Sequence, residues 1–207
     1  MALVKYNNNS ISAVTSAASI PSGAMTHIKT LTASSSSTLS FVDGSSDVVL
    51  DSTYPIYVFK FINMHSSNDG VFFQFNMSTD GGSNYNVTKT TTAFMTYHNE
   101  ADTATSLNYL TGVDLAQSTA FQTIITDQGT DNDQSSVGSL IIFNPSSTTF
   151  VKHFIGNTNV YHNGDYSAQI FTAGYGNTTS AVDAIQFKMS SGNIDAGTIK
   201  LYGIKDS

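Results

Sequence analysis

The clearest predicted element of this chain is a strand over residues 55–64. Its alternation places Tyr57, Phe59 and Phe61 on one face and mostly Ile, Val and Met side chains, with one Lys, on the other. Successive strand side chains point to opposite faces, so a strand that is apolar on both faces is covered twice or lies at a subunit interface. A second strand is predicted over residues 71–77, where every other side chain is apolar.

Short polar segments predict the turns between strands. Asn68-Asp69-Gly70 and Asp80-Gly81-Gly82-Ser83 bound the second strand and favour a β-meander, since glycine adopts positive φ without steric cost. A strand over residues 137–143 is expected to stop at Asn144-Pro145-Ser146-Ser147, because proline lacks the N–H that a ladder requires. Residues 150–155 are expected to return as its hairpin partner.

The whole pattern predicts an all-β fold with eight to ten strands at roughly regular spacing. We therefore expect residues 24–207 to form a single β-sandwich, or jelly-roll, domain. The stretch 100–120 has no clear period, and Asp114 is equally compatible with the cap of a short helix and with a loop.

Residues 1–23 differ from the rest, because they are rich in Ser, Ala, Thr and Asn and have little to bury. One interpretation is a frayed terminus. The other is an extended N-terminal arm that orders against a neighbouring subunit, with regularly scattered apolar side chains as its assembly contacts: Leu3, Val4, Tyr6 and Ile11.

Composition supports the all-β prediction. Only 11% of the residues are charged, against roughly 25% in an average soluble domain. Arginine is absent and Glu100 is the only Glu, whereas helical surfaces are normally covered with Glu, Lys and Arg. The net charge of −7 and the eight scattered lysines leave no basic stripe, so no nucleic-acid partner is expected.

The sequence also lacks the features of membrane-spanning and secreted proteins and of several enzyme classes. No apolar stretch is long enough to span a membrane, and the start of the chain lacks the apolar region of a signal peptide. There is no cysteine for a disulfide, a thiolate site or a nucleophile. No nucleophile elbow, phosphate loop, HExxH motif or dinucleotide fingerprint is present, so we expect a non-enzymatic protein without a cofactor.

Three groups of residues are candidates for metal sites. The acidic segment 127–133 offers oxygens at short spacing, but no Glu closes it as in an EF-hand, which favours a solvated turn. His98, Glu100 and Asp102 alternate on one predicted strand face, and His153 and His162 flank a predicted turn. Neither arrangement has a complete ligand set, so no metal site is predicted.

Tyrosines in polar, loop-like surroundings are the remaining candidates for function. Exposed Tyr rings can stack on sugars or anchor a protein interface, because they contribute contact area at low entropic cost. Ordinary partial burial is the simplest interpretation, a protein interface comes next and a glycan platform last. The candidates for glycan or partner contact are Tyr161, Tyr166 and Tyr175.

Several segments of the chain together resemble marine tailed-phage virion proteins, above all those of cyanophages. The resemblance covers most of the chain and is most specific in its turns and its C-terminus. It rests on Val-Phe-Lys-Phe-Ile-Asn-Met at 58–64, Ser-Thr-Asp-Gly-Gly-Ser-Asn-Tyr at 78–85, Leu-Ile-Ile-Phe-Asn-Pro-Ser-Ser at 140–147 and Gly-Thr-Ile-Lys-Leu-Tyr-Gly-Ile at 197–204.

This resemblance implies a structural protein of the phage particle, without catalytic residues. The expected role is a head decoration, or cement, subunit or a tail accessory that binds the capsid or tail lattice. The alternative is a tail-fibre or spike module that recognises host-surface glycans. The resemblance also implies other virion proteins as partners and a homo-oligomer, with a trimer favoured.

Overall fold

The computed structural model describes residues 24–205, which contain strands and turns but no helix. The all-β prediction is therefore confirmed for these residues. The strands are β1 (Met25–Thr32), β2 (Leu39–Val42), β3 (Ile56–Ser66), β4 (Val71–Ser78), β5 (Lys89–Asn99), β6 (Thr105–Tyr109), β7 (Gln122–Gln128), β8 (Ser136–Phe143), β9 (Lys152–His162), β10 (Tyr166–Gly176), β11 (Ala184–Met189) and β12 (Ile194–Ile204).

All twelve strands pair antiparallel in one nearly closed, barrel-like sheet. The order runs β1-β12-β3-β8-β9 and then divides. On one side β9 pairs along its full length with β10. β10 also pairs with β5, and β5 pairs with β6. On the other side a single pair, Gln128 with His162, links β9 to β7, and the order continues through β4 and β11 to β2.

The predicted β-meander is wrong, although its strands and turns exist. β3 pairs with β12 and β8, whereas β4 pairs with β7 and β11, so the turn at residues 67–70 joins strands that are not neighbours. The turn at 190–193 likewise joins β11 to β12. The two turns lie side by side, because Ser67 N–H donates to Asn193 O at 3.1 Å and Asn68 Nδ2 donates to Ser191 Oγ at 3.2 Å.

The aromatic centre of the core lies between β3 and the strands β2, β4 and β11, and the buried cluster continues along β7, β8, β9, β10 and β12. The ring of Phe187 on β11 is fully buried at its centre. It contacts Phe59 and Phe61 of β3 at centroid distances of 5.2 and 5.3 Å, and Phe73 of β4 at 5.8 Å. Such edge and offset contacts between rings add to the hydrophobic gain from burying them.

Other predictions have mixed outcomes. The strand at 137–143 and its hairpin partner are confirmed as β8 and β9. The stretch 100–120 contains β6 and otherwise turns and loop. The residues assigned to the assembly arm, Leu3, Val4, Tyr6 and Ile11, lie outside the described residues. The part of the chain that is described has no helix long and apolar enough to cross a membrane.

Two lysines, Lys89 and Lys152, are buried on the inner face of the sheet. Among the described residues no carboxylate forms an ion pair with either. The Lys89 ammonium donates to Asn76 Oδ1 and, at 2.7 Å, to Val87 O, and Lys152 donates to two backbone carbonyls. Burial lowers the pKa of Lys89 to about 7 and also lowers the pKa of Lys152, because the charged form loses its hydration.

The buried Lys89 predicts that stability rises with pH above neutrality. Between pH 7 and 9.5 the unfolded chain holds the Lys89 proton and the folded chain has released it, so unfolding takes up a proton. The free energy of unfolding should then rise by up to about 1.4 kcal/mol per pH unit from this group. Urea unfolding of the wild type and of Lys89→Met across this range measures the difference. Equal slopes for the two proteins would contradict the assignment.

Candidate functional site

The hairpin of β9 and β10 brings two of the three candidate tyrosines together. Tyr161 lies near the end of β9 and Tyr166 opens β10, on the two sides of a short turn at residues 163–165. Both residues border one groove, but the Tyr161 side chain points to the outer face and the Tyr166 side chain points inward, toward His162. Tyr175 is at the opposite end of β10, where its ring contacts His153 at 6.0 Å, so the structure separates it from the other two.

The groove crosses the outer face of β5, β10 and β9. The register places His98 beside Ser167 and Ser167 beside Tyr161. One hollow of about 320 Å³ includes these side chains together with Glu100 and Asn159. A second hollow of about 300 Å³ shares His98, Asn159 and Ser167 with the first and extends the groove toward the middle of the strands.

Tyr161 provides the accessible aromatic ring of the groove, and its side chain is half-exposed. A hydrogen bond to the Glu100 carboxylate raises the pKa of the Tyr161 phenol, and the negative charges of Asp165 and Asp133 act in the same direction. Asn159 donates from Nδ2 to Ser167 Oγ and to Ala168 O, both at 3.0 Å. Its Oδ1 accepts no hydrogen bond from the described residues.

Tyr166 has a different role, because its hydroxyl is used inside the protein. It hydrogen-bonds His162 Nε2, and the two rings stack with centroids 3.8 Å apart. Gly164 N–H donates to His162 Nδ1 at 3.0 Å, so that nitrogen carries no proton and Nε2 carries it. Asp127 Oδ2 lies 3.5 Å from the same Nε2. Burial is the main reason that the pKa of the Tyr166 phenol is raised.

The structure revises the histidine patterns. His98 lies on β5, but Glu100 and Asp102 follow in the turn before β6, where Asp102 Oδ1 accepts from His98 Nε2 at 3.0 Å. The turn expected between His153 and His162 is wrong, since β9 includes both of them at its two ends.

No metal centre emerges from the acidic segment 127–133 either. Its backbone forms a turn in which Gln134 N–H donates to Asp131 O at 2.9 Å. Within the described part of the chain, no group of three or more His, Asp or Glu side chains lies close enough to hold a metal ion.

Sequence reasoning missed an apolar surface at the β6 edge of the sheet, which we call the aromatic edge. It consists of Phe94, Leu107, Tyr109 and Phe171. Phe94 stacks on Phe171 with centroids 4.9 Å apart, and Phe94 is paired with Tyr109. The sequence of β5 could have indicated this surface, because Phe94 lies between the inward-facing residues Ala93 and Met95 and therefore points outward.

No protein-family model matches the chain, and no curated protein or solved structure matches it either.

The two groove tyrosines are predicted to differ in their effect on stability. Tyr166→Phe removes a half-buried hydroxyl from His162 and should lower the free energy of unfolding by about 1 kcal/mol. Tyr161→Phe removes a surface hydroxyl and should change it by less than about 0.5 kcal/mol. Urea unfolding of both variants against the wild type measures this. If Tyr166→Phe lowers the free energy of unfolding by no more than Tyr161→Phe is expected to, less than about 0.5 kcal/mol, the Tyr166 hydroxyl has no structural role.

Proposed function

We propose that the chain is a non-catalytic structural protein of a phage virion, a head decoration subunit or a tail accessory. In this proposal its strands form a jelly-roll-like sandwich, and residues 1–23 act as an assembly arm. The observation that carries the proposal is the aromatic edge, a group of large apolar side chains exposed on the outer face of the sheet.

The exposure of these side chains favours a protein partner. Leu107 is 68% exposed, Tyr109 53% and Phe94 42%. Covering a large apolar side chain contributes about 1.5–3 kcal/mol, so three or four together supply much of the free energy of a stable contact. A contiguous apolar patch of this kind typically marks an interaction surface.

The position of the patch supports the same conclusion. β6 pairs with β5, and no other described strand pairs with it. An edge strand offers free N–H and C=O groups, so a neighbouring chain can add backbone hydrogen bonds next to the apolar contacts. Closed symmetry repeats such a contact in every subunit, which suits the homotrimer that we propose.

Particle attachment tests this function directly. Quantitative mass spectrometry of purified virions should find on the order of hundreds of copies for a head decorator, because a symmetric shell repeats one contact many times. Leu107→Asp should abolish attachment of the added protein to particles that lack it, and so should deletion of residues 1–20. Val137→Asp is a matched control, because Val137 is also exposed at 42% but lies on β8.

Two results would contradict the decoration role. A copy number of only a few to tens per particle would favour a tail position. Attachment of the Leu107→Asp protein with unchanged affinity would exclude the aromatic edge as the contact.

The groove at Tyr161 supports a second candidate function, a receptor-binding module for host-surface glycans. An aromatic ring beside an amide and a carboxylate suits a sugar, which has an apolar face and vicinal hydroxyls. The Glu100 carboxylate and the Asn159 amide are the polar groups that line the same hollow as the Tyr161 ring. The surrounding negative charge favours a neutral or amino sugar over an acidic one.

Glycan binding is tested with Tyr161→Ala on a glycan array and on host cells. Binding should fall by about tenfold or more, as the loss of one stacked ring implies. Tyr175→Ala is the matched control, because Tyr175 also lies on the outer face but outside the groove, and it should bind like the wild type. Equal binding by all three proteins would remove this candidate.

A further inference from the structure

A second apolar surface, here called the apolar band, runs across the outer face at the other end of the strands. It consists of two rows of side chains that the register places next to each other. The first row is Met25, Ile204, Ile56, Phe143, His153 and Tyr175, and the second is His27, Tyr202, Val58, Ile141, Ile155 and Ala173. Neither row contains a Lys, Asp or Glu, and the first charged row begins at Lys60 and Lys200.

The band has a depression near its far end. Phe143, Ile155 and Tyr175 surround the small side chain of Ala173, which leaves a hollow of about 490 Å³ with mostly apolar walls. Ile155 is 49% exposed and Met25, at the near end, is 46% exposed. Val58 is the one buried member of the second row. The hollow is therefore wide enough to receive apolar side chains from another segment.

The N-terminal segment enters the fold at the near end of this band. Ala24 O accepts from Lys205 N–H at 3.2 Å, and the next residue, Met25, begins the first row. From Tyr6 to Gly23 the sequence has no charged residue, and it includes Ile11, Val14 and Ile20. The segment and the band thus share the same chemistry, apolar side chains among small uncharged ones.

The length of the segment also fits. The band crosses five inter-strand spacings between β1 and β10, which is about 24 Å. Ten extended residues span roughly 33 Å, so residues 11–20 are long enough to cross it. Pro21-Ser22-Gly23 has turn-forming residues at the point where the chain must change direction to lie over the sheet.

We propose that residues 11–20 of the free protein dock on the apolar band of their own chain, with an apolar side chain in the hollow at Ala173. The tether favours this occupant, since a short linker holds the segment at a millimolar effective concentration beside the band. Residues 3–6 then extend past the covered face, where they are free to contact a neighbour. The proposal deepens the assembly function, but its test involves this chain alone and needs no virion.

Because the chain has no native cysteine, a pair of introduced cysteines tests the docking cleanly. Each of Ser12→Cys, Ser16→Cys and Ser19→Cys is combined with Thr92→Cys or with Ser167→Cys. Thr92 lies at the hollow. Ser167 is exposed on the same face at the other end of β10. A short bismaleimide is added to the full-length protein at low concentration, and mass spectrometry identifies the products.

The proposal predicts an intramolecular product of Ser12→Cys with Thr92→Cys, at a yield about tenfold above that of Ser12→Cys with Ser167→Cys. Adding Ala173→Glu should reduce that yield to the level of the Ser167→Cys control, because the charge occupies the hollow. Thermal unfolding of each variant confirms that it is folded. A yield with Thr92→Cys no higher than the control, or a product found only between two chains, would overturn the proposal.

A negative cross-linking result would not contradict the assembly role, because the aromatic edge and the apolar band are separate surfaces. The assembly role is tested separately, by particle attachment. Conversely, the cross-link retains its meaning even if the protein is absent from purified virions.

Discussion

The fold depends on the packing of Phe187 between β3 and β4. Its ring lies within 5.2 to 5.8 Å of three other rings, those of Phe59, Phe61 and Phe73. Only one residue pair links β9 to β7 by backbone hydrogen bonds, so side-chain packing has to hold the β7-β4-β11-β2 strands against the rest. Since protein interiors tolerate little change of volume, this cluster also fixes which face of β3 points outward.

The outward faces divide into regions with different chemistry. The polar groove at Tyr161 and the apolar band at Tyr175 lie at opposite ends of the same β9–β10 hairpin, and the aromatic edge lies beside them at β6. A protein surface with this arrangement can meet several neighbours at once. The buried lysines, Lys89 and Lys152, satisfy backbone and amide oxygens on the inner face and contribute nothing to the outer charge.

The sequence allowed the strands to be predicted much better than their partners. The alternation of apolar and polar side chains identified β3 and β4, because it is a local property of each strand. The turn between them shows that the chain changes direction, but it does not determine which strands pair. β3 instead pairs with β12, more than a hundred residues away. Tyr161 and Tyr166 border the same hollow, but the sequence did not show that their side chains point to opposite faces of the hairpin. Phe94 was missed because its exposure depends on which side of β5 faces the core, although its phase relative to Ala93 carried that information.

Hydroxyl-radical footprinting of the aromatic edge tests the central claim, that this surface is the assembly contact. The protein is labelled free in solution and on purified particles, and oxidation is measured by mass spectrometry at Phe94, Leu107 and Tyr109, with Tyr161 as an internal reference. If the aromatic edge is the assembly contact, oxidation of the first three side chains falls to background on the particle, relative to Tyr161. Equal oxidation of Phe94, Leu107 and Tyr109 in the two states would contradict it.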